Sequence, residues 1–134
     1  MKYLISSALL TLLISSPCFA ASGGKVFFKN LKDGEIVTSP VKVEMGVEGK
    51  TLAKAGSQSD AEGHHHIIVD GAPLEKGQVV PTDAQHIHFG QAQTETLVEL
   101  TPGKHTLTLQ FADGSHRSFG KELSATVHLE VMPK

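Results

Sequence analysis

The chain has 134 residues, of which 40% are hydrophobic and 19% charged, with a formal net charge of −2, one cysteine and eight histidines. That length holds about one ordinary domain, and the slight acidic excess excludes a basic surface built for nucleic acid or an anionic membrane. A lone cysteine excludes a disulfide framework.

Residues 1–20 read as a cleaved secretory signal. Lys2 gives a positive start, Leu4 to Ile14 is mainly apolar, and Pro17-Cys18-Phe19-Ala20 ends on a small residue suited to signal peptidase. The run is too short, and too closely followed by Ser22-Gly23-Gly24, to be a membrane span. Ser15-Ser16-Pro17 ahead of Cys18 departs from a lipobox. The expected mature protein is therefore residues 21–134, one soluble exported domain. It is one unit more negative once Lys2 is lost, and without Cys18 it has neither a thiolate ligand nor a cysteine nucleophile.

The rest reads as β-structure. Lys25 to Lys29 and Ile36 to Thr38 are short strand candidates, and Val41, Val43, Met45 and Val47 alternate with Lys42, Glu44 and Gly46 at a period of two. Lys50 to Glu62 reads as a loop. His65 to Asp70 follows as a strand, then a loop over Pro73 to Gln85, then strands over His86 to Phe89 and Thr94 to Leu100. Leu107, Leu109 and Phe111 alternate with Thr106, Thr108 and Gln110, and Val127, Leu129 and Val131 alternate with His128 and Glu130. Turn signals stand between the runs, at Asp33-Gly34, Ser39-Pro40, Asp70-Gly71-Ala72-Pro73, Pro81, Thr101-Pro102-Gly103 and Asp113-Gly114. About seven short strands so spaced predict an all-β, immunoglobulin-like antiparallel β-sandwich.

Several of these segments carry a family likeness. Gly63-His64-His65-His66-Ile67-Ile68-Val69-Asp70, His86-Ile87-His88-Phe89-Gly90, Gln93-Thr94-Glu95, Pro102-Gly103-Lys104-His105-Thr106-Leu107, and Asp113 with His116 follow one another in order. Together they resemble the bacterial periplasmic family catalogued as domain of unknown function 4399, over about Val26 to Val131. The chain departs from some members at Gln91-Ala92, where those carry a second glycine. The resemblance implies membership and a periplasmic setting but supplies no activity.

The histidines point to chemistry. Residues two apart on a strand share a face, roughly 6.5 to 7 Å apart, so His64 with His66 and His86 with His88 form two same-face pairs able to converge on one metal. His105 and His116 could assist. Imidazole donors without thiolate favour Cu(II), Zn(II) or Ni(II) over Cu(I), the only soft donors left being Met45 and Met132. Glu95, Asp70 and Asp113 could ligate or orient an imidazole.

Other readings stand beside this one. His65 points opposite to its neighbours, which suits packing inside the sandwich. His105 shares the parity of Leu107 and could tie down the Pro102-Gly103 turn. His116 could be an ordinary loop residue, and His128 an exposed one. The clustered histidines could equally form a buried hydrogen-bond network. No Gly-x-Ser-x-Gly elbow, phosphate-binding glycine loop or His-Glu-x-x-His marks an enzyme. The expected function is binding of a divalent transition metal, copper or zinc, for carriage, buffering or sensing. The alternative is a structural envelope module whose partner is a protein or polysaccharide.

Overall fold

The period-two patterning folds into nine strands in the computed structural model, which describes residues 23–134; the expected signal over residues 1–20, with Cys18, lies outside the described residues. In chain order the strands are β1 (Lys25–Phe28), β2 (Glu35–Val37), β3 (Val41–Glu48), β4 (Thr51–Leu52), β5 (Glu62–Val69), β6 (His86–His88), β7 (Glu95–Val98), β8 (Gly103–Ala112) and β9 (Ser124–Val131). A single 3-10 turn, Lys121–Leu123, precedes β9. Several strand ends shift by a residue or two from expectation, and two differences bear on the site. β5 begins at Glu62, so its whole histidine run is strand, and the two-residue β4 interrupts the predicted Lys50 to Glu62 loop because it pairs in parallel with Glu62 and Gly63.

The strands form two sheets, one of three strands in the order β1-β3-β7 and one of six in the order β2-β9-β8-β5-β4, with β6 also paired to β5. Most pairings are antiparallel, and the parallel ones are the short β2–β9 and β4–β5 contacts. Val41, Val43 and Met45 of β3 meet Ile67 of β5, Leu107, Leu109 and Phe111 of β8, and Val127, Leu129 and Val131 of β9 in one buried core. At about 1.5 to 3 kcal/mol for each large apolar side chain removed from water, this interior is the main source of stability.

The opposite face of the larger sheet positions the site. His64, His66 and Ile68 of β5 lie there, paired across the ladder with Ala112, Gln110 and Thr108 of β8. Thr108 and Gln110, in the polar phase of β8, are fully buried. Residues 71–81 and 113–120 roof them. The two roofing segments zip together where Gly77 N donates to Ser118 O, Ser118 N to Gln78 O, and Val80 N to His116 O, at 2.8 to 2.9 Å. Gln110 ties the roof to the sheet, accepting from Leu74 N at 2.9 Å and donating to Gly120 O at 3.0 Å. Buried amides need such partners, because an unmatched one costs about 1 to 3 kcal/mol.

Candidate metal centre

β5 carries His64 and His66 on the roofed face, and the register His66↔His88 brings His88 of β6 beside them. A turn supplies a fourth histidine. Asp113 Oδ1 accepts from Ser115 N at 2.8 Å and Arg117 N at 2.9 Å, and Asp113 O accepts from His116 N at 2.9 Å. This folds the turn back with His116 at φ 64°. A strap aligns the two outer residues: Ala55 N donates to Gly90 O at 2.9 Å and Gly56 N to Gly114 O at 2.8 Å. Gly114 is sterically required by the Ser57 backbone, whereas a side chain at Gly90 would push the His88 ring aside. A Cβ on Gly90 would stand 2.6 Å from His88 Nε2, and one on Gly114 would stand 2.5 Å from Ser57 N.

One ring nitrogen each from His64, His66, His88 and His116 lies within 4.8 Å of all the others. His88 Nε2 is 3.2 Å from His64 Nε2 and 3.0 Å from His116 Nε2. Four nitrogens bound at about 2.0 to 2.1 Å would stand about 3.3 Å apart around a tetrahedral ion, and about 2.9 or 4.1 Å apart around a square one. The cluster is already close to those dimensions.

His64 and His66 are buried, His116 is partly buried and His88 is exposed, so the group is closed at the sheet and open above it. Burial, reinforced by mutual repulsion with His88 and His116, pushes His64 down to about 4. Burial and the same neighbours push His66 down to about 3, against a smaller opposing influence from the Gln110 backbone. His88 is lowered too, first by burial and then by His116. These imidazoles are therefore neutral near pH 7, the form that coordinates metal. The Nδ1 atoms of His64 and His66 are buried with no hydrogen-bond partner among the described residues, so packing sets their ring orientation.

The remaining candidates lie elsewhere. His86 shares the face of His88 but sits opposite Ile68, and its Nδ1 is 2.7 Å from Asp83 Oδ1. His105 is at the far end of β8, with Nδ1 2.8 Å from Asp70 Oδ2 and Nε2 2.8 Å from Thr101 O. It ties the turn as a corner residue does. His65 points into the sandwich, edge-on to Phe111 with ring centroids 5.2 Å apart, and neither of its ring nitrogens has a partner among the described residues. His128 is exposed and held by Asp33 at 2.8 Å. Glu95 is beside Lys42 in the smaller sheet, and Met45 is fully buried in the core. Asp113 shapes the His116 turn, the one candidate acid placed next to the cluster. Gln110 and Asp83 were not identifiable from sequence, since a glutamine in a polar phase and an aspartate in a loop carry no distinctive pattern.

The family model described as Domain of unknown function (DUF4399) matches residues 43–132, and the chain belongs to that family. No curated protein and no solved structure matches it.

Proposed function

We propose that this member of the domain of unknown function family 4399 binds one divalent transition metal, copper or zinc, through His64, His66, His88 and His116. The observation that carries the reading is the convergence of four imidazole nitrogens within 4.8 Å, from two strands and a turn. An all-nitrogen donor set suits Cu(II) and Zn(II) and disfavours Cu(I). The exposed position of His88 gives the ion a way in and out, which supports exchange rather than permanent structural use. The role we assign is metal carriage, buffering or sensing in the periplasm, reached by the signal in residues 1–20.

A second reading draws on the same contacts, because nitrogens 3.0 and 3.2 Å apart are also at hydrogen-bond distance. The protein would then be a structural or partner-binding envelope module with an internal histidine network. In both readings His64 Nδ1 and His66 Nδ1 stay buried without partners among the described residues, so metal uptake and not hydrogen-bond satisfaction separates them. Titration calorimetry of the tag-free protein with Cu(II) and Zn(II) decides the matter. Saturable one-to-one binding supports the metal centre, and absence of binding by either ion leaves the structural module.

A further inference from the structure

His66, His88 and His116 do more than face one another: they also line a cavity of about 140 Å³. That is room for several water-sized groups. Its remaining wall includes Val79, Val80, Pro81 and His86. His64 is not part of the lining and lies behind the other three. The cavity therefore opens onto the outer side of the nitrogen cluster.

A structural metal site with four protein ligands is normally closed, whereas a site that handles a further ligand keeps a position open. Here the space beside three of the four nitrogens is not filled by a side chain. The charge balance favours a particular occupant. Four imidazole ligands carry no charge of their own, so a divalent ion would be offset only by Asp113 beside the cluster, and the cavity wall of Val79, Val80 and Pro81 adds no carboxylate. Asp83 Oδ1 holds His86 at Nδ1, while His86 Nε2 makes no hydrogen bond to the described residues, so His86 and Thr82 are the polar wall residues an occupant would meet.

We propose that a metal held by the cluster keeps one exchangeable coordination position on the cavity side, and that the cavity admits a small monodentate anion to it. The inference rests on the metal-binding reading above and adds that the centre is open to ligand exchange.

The test uses the tag-free protein loaded with one equivalent of Cu(II), titrated with sodium azide and followed by the azide-to-copper charge-transfer absorption. Two variants narrow the cavity without removing a clustered histidine: Val80→Phe at a buried wall position and Thr82→Trp at an exposed one. The expected result is a saturable band at one azide per copper. Azide affinity should fall by at least about tenfold in both variants, while calorimetric Cu(II) affinity is kept. If copper binds but no azide band develops, the open position is overturned and the metal centre stands. An azide titration unchanged in Thr82→Trp also overturns it, because azide would then reach the metal past His88 and not through the cavity. Failure of the wild-type protein to take up Cu(II) overturns the open copper position, and failure to take up Zn(II) as well overturns the metal centre with it.

Discussion

His116 Nε2 stands 3.0 Å from His88 Nε2 although 28 residues separate them in the chain. The spacing is held at backbone level, because the strap at Ala55 and Gly56 binds the carbonyls of Gly90 and Gly114, each two residues from one of these histidines. His64 and His66 owe their spacing to β5 alone. The cluster thus joins a half fixed by local strand geometry to a half fixed by tertiary hydrogen bonds.

Substitution should separate the two halves from the histidines outside the cluster. His64→Ala with His66→Ala, and His88→Ala with His116→Ala, should each lower Cu(II) or Zn(II) affinity by more than about a hundredfold, beyond what loss of a merely orienting residue costs. Each pair should also abolish the metal-dependent rise in melting temperature. His86→Ala and His105→Ala should bind one equivalent as the wild type does. Calorimetry and thermal melts with and without metal provide the check.

The metal-free protein should lose stability on acidification. His64 and His65 are depressed from 6.5 to about 4, and His66 to about 3, in each case chiefly by burial. The folded state consequently binds fewer protons than the unfolded state in this range. Stability is retained above about pH 6.5 and falls as pH drops towards 4 and then 3, each histidine adding up to about 1.4 kcal/mol per pH unit in mid-window. Urea melts across that range should show the slope. His65→Leu should make it shallower and, by removing two unpartnered nitrogens, raise stability at pH 7.

Asp70→Asn tests the corner at His105. The Asp70 hydrogen bond raises the His105 pKa. Burial works against the Asp70 carboxylate, but hydrogen bonds from Thr106 N and His105 bring it below its ordinary range. Because His105 is raised, the charged pair is fully formed below pH 6.5 and is lost as pH rises through the higher folded value. The pair is partly exposed, so its removal should cost only about 0.5 to 1 kcal/mol. That cost should be seen in denaturant melts at pH 6 and should shrink at alkaline pH.

Gly114→Ala should act on the strap. Its Cβ would press on the Ser57 backbone, displacing the Gly56–Gly114 hydrogen bond. Overpacking of this kind costs about 1 to 3 kcal/mol. Melting temperature should fall, and metal affinity should fall with it because His116 shifts relative to His88.

The sandwich was legible because apolar residues alternate along β3, β8 and β9, and the parity of His64, His66 and His65 followed from the same period. The assignment of His86 beside His88 rested on that parity too. It placed His86 on the correct face, but the register sets it opposite Ile68, where Asp83 holds it. His116 had no periodic signal, since its position depends on a turn closed by Asp113 and a strap from residues 55–56. The burial of the polar phase of β8 was not legible, because a roof made of loop residues 71–81 and 113–120 leaves no hydrophobic pattern of its own.

Along its outer edge β5 is paired by two fragments and not by one long strand. Thr51–Leu52 covers Glu62 and Gly63, and His86–His88 covers His66 to Ile68. Short, interrupted edges are how β-proteins avoid templating the addition of another chain. Detaching β6 would bare the backbone of His66, Ile67 and Ile68, an apolar stretch suited to intermolecular strand pairing. The segment that delivers His88 is thereby also a guard against self-association, and changes that loosen it should show first as aggregation.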